Sequence, residues 1–325
     1  MARVFIDGFE AGDLKLWNDF SGATITTGVS GMDGTYCCYI TADGNYYLRK
    51  IVAAAAEYYC AFRLCPHGYS PTKIIKFLSE STVLATLKRN SSTTVAEAYR
   101  GNDVTLLGSG VTALDVDTTF LIEVYYKPHD STGIFQVKIN GVLEIDFSGD
   151  TTPGATTFDT FSFQSASAAG LGYIDNIIID NAAWIGDTKI QAIVPTGAGA
   201  STQWAPSAGS NFQCVDEIPA DETDFVSTNT TGHLDTYAAA DLTGSIENVK
   251  CVQVQALAVK EGAPTPLNLQ LAVKSGATTY LSADKAIPAT TSKPLAALWE
   301  ADPATAAPWE ITAVNDAEIG MKAVA

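Results

Sequence analysis

The stretch from Phe120 to Asp150 constrains the fold of this chain more than any other. Phe120, Ile122, Val124 and Tyr126 share one face of a strand, because side chains of an extended chain alternate with period two. After a turn over Lys127 to Gly133, Phe135, Val137 and Ile139 share a face, and Leu143, Ile145 and Phe147 do so in a third strand. Asn140-Gly141 marks the second turn. A two-residue loop there would set Val137 against Glu144 and Phe135 against Asp146, mixing apolar and acidic side chains on one face. A three-residue loop, Ile139-Asn140-Gly141, pairs Val137 with Leu143 and Phe135 with Ile145, and Gly141 takes the left-handed position without steric cost. The longer loop with a glycine bulge is therefore predicted.

This order of strands, followed by Tyr173 to Asp180 as a closing strand, resembles the concanavalin A-like superfamily, laminin G-like and pentraxin-like modules above all. The opening Phe5-Ile6-Asp7-Gly8-Phe9-Glu10, with Trp17 soon after, resembles the first strand of such modules. The resemblance covers residues 1–185. It implies a fold much more sharply than it implies a ligand.

Composition narrows the partners. A formal charge of −17 and a pI near 4.4 leave no basic stripe for tracking phosphates, and no arginine follows Arg100, so nucleic acid is excluded as a partner. No apolar run approaches the length that spans a bilayer, and the first residues show no charged-then-apolar signal segment. The expectation is a non-membrane protein made in a host cytoplasm. Cys37, Cys38, Cys60, Cys65, Cys214 and Cys251 show no paired Cys-x-x-Cys spacing, so they read as small buried hydrophobes, with a Cys60–Cys65 bridge as the alternative.

Further strand candidates are Tyr46 to Leu48, Glu57 to Leu64, Lys73 to Leu78 and Val83 to Lys88, separated by turn residues; Ala53 to Ala56 reads as a bend or strand entry. A boundary falls near Ala182 to Asp187. Beyond it Lys189 to Val194, Asn211 to Val215, Val249 to Val259, Leu267 to Val273 and Thr278 to Leu281 read as strands, and a Gly/Ala/Ser-rich loop runs to Gly209. The tail from Trp309 to Val324 is given one short helix, opened at Thr312 or Asn315. The predicted class is all-β: two jelly-roll β-sandwiches in tandem, 1–185 and 186–325.

Ile185 to Ile190, Gln203-Trp204-Ala205-Pro206, Thr231 to Tyr237, Trp299 to Pro303, Pro308-Trp309 and Glu318 to Lys322 follow one another in an order that resembles a module of tailed-phage and prophage virion proteins. That resemblance implies a virion structural component. Its usual arginine positions are lysine or apolar here.

Catalytic groups are sparse. Glu144-Ile145-Asp146 invites comparison with the Glu-x-Asp-x-x-Glu strand of laminarinase-like glycosidases, but the third acidic position is Gly149, so the acid/base is missing. His67, His129 and His233 are scattered in turn-like segments, and no Ser-His-Asp order stands out. Asp216, Glu217, Asp221, Glu222 and Asp224 are the densest acidic group and the candidate calcium ligands, with Asp175 and Asn176 second. Tyr69 and Tyr99 are the candidates for stacking on sugar rings, whereas Trp17, Trp184, Trp204, Trp299 and Trp309 read as filling core or inter-domain space.

These readings lead to a non-enzymatic virion protein displayed on a phage particle, as capsid decoration, head fibre or tail-associated component. It is expected to form homo-oligomers and to touch other virion proteins. The alternative is a carbohydrate-binding adhesin whose first domain recognises host-surface glycans.

Overall fold

A computed structural model describes residues 3–41, 46–68, 72–165, 170–261 and 268–325. The chain is all-β, with β-sandwich domains, and separates into two compact units, 1–190 and 191–325. No described helix is long and apolar enough to cross a membrane.

In the first unit the described strands are β1 (Arg3–Asp7), β2 (Asp19–Ser21), β3 (Ala23–Thr27), β4 (Tyr36–Ile40), β5 (Tyr47–Ala55), β6 (Tyr58–Pro66), β7 (Thr72–Ser79) and β8 (Thr82–Arg89). They continue as β9 (Val95–Arg100), β10 (Thr105–Ala113), β11 (Phe120–Lys127), β12 (Gly133–Ile139), β13 (Val142–Gly149), β14 (Phe158–Gln164) and β15 (Gly172–Asp180). An eight-stranded sheet runs β13-β12-β11-β6-β15-β4-β3, with β1 also on β15. A seven-stranded sheet runs β10-β9-β8-β7-β14-β5-β2. Alternation decides which side chains meet between them. Phe120, Ile122, Val124 and Tyr126 of β11 are buried, as are Phe135, Val137 and Ile139 of β12. Facing them are Phe77 on β7 and Phe161 and Phe163 on β14; the Phe77 and Tyr126 rings lie 4.9 Å apart, and Phe62 meets Phe163 edge-on at 5.0 Å. Each such side chain contributes about 1.5–3 kcal/mol by leaving water. Trp17 closes the other end, edge-on to Phe5 and Phe163 and stacked on Phe9. Its indole N–H donates to Asp7 Oδ2 at 2.7 Å, while Phe9 N donates to Oδ1.

The β12–β13 turn departs from the predicted loop. Ile139 pairs with Val142, so the loop is the two residues Asn140-Gly141, both with positive φ (49° and 81°), as a type I′ turn demands. The apolar pairing is rescued further along: the register shifts by one residue, after which Val137 opposes Ile145 and Phe135 opposes Phe147. The extra residue is Glu144, a β-bulge residue. Leu143, on the turn side of the bulge, is left exposed rather than sharing the buried face of Ile145. The bulge aims the Glu144 carboxylate at β10 of the other sheet, where it accepts from Val111 N, Thr112 N and Thr112 Oγ1. A residue that spoiled the pairing on paper thus laces two sheet edges together.

The outer face of the eight-stranded sheet is covered by the chain that follows β15. Trp184 packs on Tyr59 and Tyr125, Lys138 Nζ lies 4.0 Å over its ring, and Gly186 N donates to Glu123. Arg63 pairs with both Asp33 and Asp187, and Lys189 with Asp33. Leu121, Glu123 and Tyr125 are buried on that account. Ala53 to Ala55 complete β5. All six cysteines are free thiols, and Cys60 and Cys65 form no bridge.

The second unit holds β16 (Pro195–Thr202), β17 (Ala205–Pro206), β18 (Val226–Ser227), β19 (Leu234–Ala239), β20 (Val252–Ala258), β21 (Asn268–Ser275), β22 (Thr278–Leu281), β23 (Lys285–Ala286), β24 (Lys293–Trp299) and β25 (Glu318–Val324), with α1 at Ile311–Asn315. Its main sheet runs β16-β19-β25-β21-β22, with β23 also on β21, and β20 pairs with β24. Tyr237, Leu271, Val273, Trp309 and Met321 form the core. Three sequence expectations fail here. Lys189 to Val194 is not a strand, and the small-residue stretch after it is: β16 crosses β19 where Gly199 lies too close to the Thr236 backbone for any Cβ. Asn211 to Val215 makes a 3-10 turn over Asn211–Cys214, because Asn211 Nδ2 is drawn to Asp235 Oδ2 at 2.6 Å and to Trp204 O at 2.8 Å. The short helix expected in the tail is present at Ile311–Asn315, opening after Glu310 rather than at Thr312 or Asn315, and β25, a central strand, follows it.

Candidate binding face on the seven-stranded sheet

The seven-stranded sheet turns one face away from the core, and its registers align a row of side chains from edge to edge. Asp19 opposes Arg49, Arg49 opposes Ser162, and Ser162 opposes Lys76. The row continues from Lys76 to Thr86, Tyr99 and Leu106. Directly opposed residues point to the same side of a sheet, so six strand boundaries are crossed without a break. A neighbouring row places Tyr47 against Gln164 near one edge and Lys73, Lys88 and Glu97 together toward the other.

The floor of this face is small and polar. Thr86, Thr160 and Ser162 are buried; Thr86 Oγ1 donates to Gly101 O, and Ser162 Oγ accepts from Arg49 Nε at 3.4 Å and Gln164 Nε2 at 3.0 Å. Long side chains stand on that floor. Arg49 lies 4.0 Å over the Tyr47 ring and Lys88 Nζ 4.1 Å over the Tyr99 ring, so a cation fixes the plane of each tyrosine. The Tyr99 hydroxyl donates to Glu97 Oε2 at 2.8 Å, and Glu97 Oε1 is held by Asn90 Nδ2. Burial first, then the Glu97 carboxylate, push the Tyr99 hydroxyl up to about 12. Lys73 Nζ reaches Asn102 Oδ1 at 3.0 Å and Asp103 Oδ2 at 3.4 Å, and Arg49 pairs loosely with Asp19 at 3.6 Å. Lys76 stands between these groups. Partial burial, then the Lys73 ammonium and more distantly Arg49, bring it down to about 8 against the pull of Asp103.

Of the two tyrosines singled out from sequence, Tyr99 stands on this face and Tyr69 lies outside the described residues. Tyr47, Arg49, Lys73 and Lys76 were missed. Their signal was the polar member of each alternating pair in Tyr47-Leu48-Arg49 and the lysines framing Ile74-Ile75, which a search for acids and histidines passes over.

The five candidate calcium ligands divide, with Asp216, Glu217 and Asp224 as neighbours and with Asp221 and Glu222 engaged by partners of their own. Asp221 bonds its own turn at Thr223 N, and Glu222 accepts from Ser292 Oγ. Glu217 is raised by burial and then by its neighbours Asp216 and Asp224. Among the described residues no group of three or more His, Cys, Asp or Glu is arranged to hold a metal ion. Asp175 is fully buried, accepting from Asn176 N and Asp33 N, and Asn176 bonds Asp33 and Ile190 N, so both serve the packing of 28–35 and 185–190. Of the histidines, His129 caps a turn at Ser131 and Thr132, and His233 meets Thr228. His67 Nδ1 lies 2.9 Å from Asp117, beside the Tyr39 and Tyr173 rings.

No protein-family model matches the chain, and no curated protein matches it in sequence. Solved structures match it in fold. The alginate lyase Aly36B aligns over 57% of this chain and 94% of its own, at 14% identity and a TM-score of 0.41. The carbohydrate-binding module CBM66 from Bacillus subtilis aligns over 50% and 98%, at 9% identity and a TM-score of 0.34. Domain 4 of AbnA, a GH43 extracellular arabinanase from Geobacillus stearothermophilus, in complex with arabinotriose, aligns over 55% and 91%, at 15% identity and a TM-score of 0.35. At such identities the likeness concerns the lectin-like β-sandwich alone. The expectation of a chain without enzymatic activity is corrected: the solved structures similar to it in fold include alginate lyases.

Proposed function

We propose that the chain binds a carbohydrate through the outer face of its seven-stranded sheet. The observation that carries this reading is the pair Tyr47 and Tyr99, each held in plane by a cation, over a hydrogen-bonding floor of Thr86, Ser162 and Gln164. The two tyrosines stand four strand spacings apart, roughly 19 Å, which suits an oligosaccharide better than a single sugar. Oriented rings offer stacking area, and the polar side chains standing on the floor, Gln164 among them, offer directional donors and acceptors, the combination that sugar sites need. Fixing the side chains before binding also lowers the ordering cost.

The test is titration calorimetry of the full chain against oligosaccharides chosen from a glycan array, for the native protein and for Tyr47→Ala and Tyr99→Ala. Each variant is expected to lose at least tenfold in affinity with its circular dichroism unchanged. Native affinity in the double variant would remove the face from consideration. Reducing-end assays on the same samples report whether a bound chain is also cut.

A further inference from the structure

Building on the carbohydrate reading, we infer that the glycan taken by this face is acidic, its carboxylate or sulfate groups received between Lys73, Lys76 and Arg49. The chain as a whole carries −17, so cations gathered on one face run against its composition. Four of its 19 lysines and arginines, Arg49, Lys73, Lys76 and Lys88, stand here. The acids on the same face are accounted for: Asp19 faces Arg49, Asp103 faces Lys73, and Glu97 is taken up by Tyr99 and Asn90. No ion pair to Lys76 or Lys88 is formed among the described residues, and Lys76 is half-buried, with the Lys73 ammonium and Arg49 as its charged neighbours alongside Asp103.

Like charges held together over buried side chains cost free energy that an anion between them would relieve. That is the charge complement of an acidic sugar, and the amide group of Gln164 beside it suits the neutral part of the same ring. Burial first, and the Lys73 ammonium after it, bring Lys76 down to about 8. A neutral glycan would leave it unmatched, which a site built on hydrogen bonds alone has no reason to tolerate.

The deciding experiment is a glycan array holding uronate, sialylated, sulfated and neutral glycans, probed with the full chain, followed by calorimetry on the hits. Hits confined to acidic glycans are expected, with carboxylated and sulfated arms showing which anion is preferred. Binding should weaken at least tenfold in Lys76→Met and weaken as salt rises, while Lys76→Arg keeps most of it. Lys88→Ala, at a half-buried position at the edge of the cation group, gives a second variant should Lys76→Met fail to fold, with loss of acidic-glycan affinity expected. Hits confined to neutral glycans, or methyl-esterified uronates bound as well as free ones, would overturn the inference and leave the carbohydrate reading standing. An empty array with folded protein would overturn both. Equal binding of a single-stranded oligodeoxynucleotide would show a general polyanion surface and also overturn it.

Discussion

Lys76, Asp7 and Asp175 show how burial sets charge in this chain. If the acidic-glycan inference holds, affinity must follow the ionisation of Lys76. Its ammonium, facing Lys73, Arg49 and Asp103, is charged near pH 6.5 and mostly neutral near pH 9.5, because its value stands at about 8. Affinity for an acidic glycan is therefore expected to fall across that range in calorimetry, and Lys76→Arg to flatten the fall; a flat native profile would count against a role for Lys76. Asp7 and Asp175 are shifted the other way, to about 7 and about 8, by burial first, opposed by the N–H groups they accept from. Each keeps its proton in the fold at a pH where the unfolded chain has lost it. Between the ordinary carboxylate value of 3.8 and those raised values the folded state binds more protons, so stability declines as pH rises through that window. The free energy of urea unfolding is expected to be higher at pH 5 than at pH 8 by several kcal/mol, each group contributing about 1.4 kcal/mol per pH unit over which only the folded state holds its proton, with Asp175→Asn reducing the difference. Equal midpoints at the two pH values would contradict these shifts.

Strand β13 teaches the most among the elements. Its alternation was legible, but its turn was not, because two solutions put the same apolar residues on the core face. A three-residue loop does it at the turn; a two-residue type I′ loop does it with a bulge further on. The chain takes the second, and the bulge frees Glu144 to reach β10. Burial raises the Glu144 carboxyl, yet the Thr112 side chain and the Thr112 and Val111 amides outweigh it and hold it below its ordinary value. Stability from this group is accordingly present above the ordinary glutamate range and lost as pH falls through the folded value. Glu144→Ala is expected to cost about 1–3 kcal/mol in chemical denaturation, since several hydrogen bonds to a charged group are removed. A change within about 0.5 kcal/mol would show that the two sheet edges hold without it.

For the whole molecule, each unit has its own buried cluster, so residues 1–190 produced alone are expected to fold cooperatively. They should also keep the glycan affinity of the full chain, since every residue of the proposed face belongs to them. Loss of affinity in a folded fragment would mean that the second unit completes the site. In residues 191–325 the segments that resemble virion modules have structural work in the fold: Asp235 gathers Gln203 N, Trp204 N, Asn211 and Tyr237, and Trp309 donates to Trp299 O. Display on a phage particle stays a proposal resting on that resemblance, and mass spectrometry of purified particles tests it. Particles lacking the protein would remove it.

The sequence by itself determined the all-β class and the strands whose alternation is strong, β11, β12 and β15 among them, because period-two burial leaves its mark locally. It also determined that the cysteines are hydrophobes, since their spacing offers neither a framework nor a chelate. Tertiary structure alone decided the rest. β16 and β25 rely on glycine for close approach between backbones, and a glycine carries no alternation to read. The proposed face draws its residues from several strands, β2, β5, β14, β7, β8 and β9, that are far apart in the chain. Only the order of strands in the sheet makes Asp19, Arg49, Ser162, Lys76, Thr86 and Tyr99 neighbours, and strand order is set by how two whole sheets share one core.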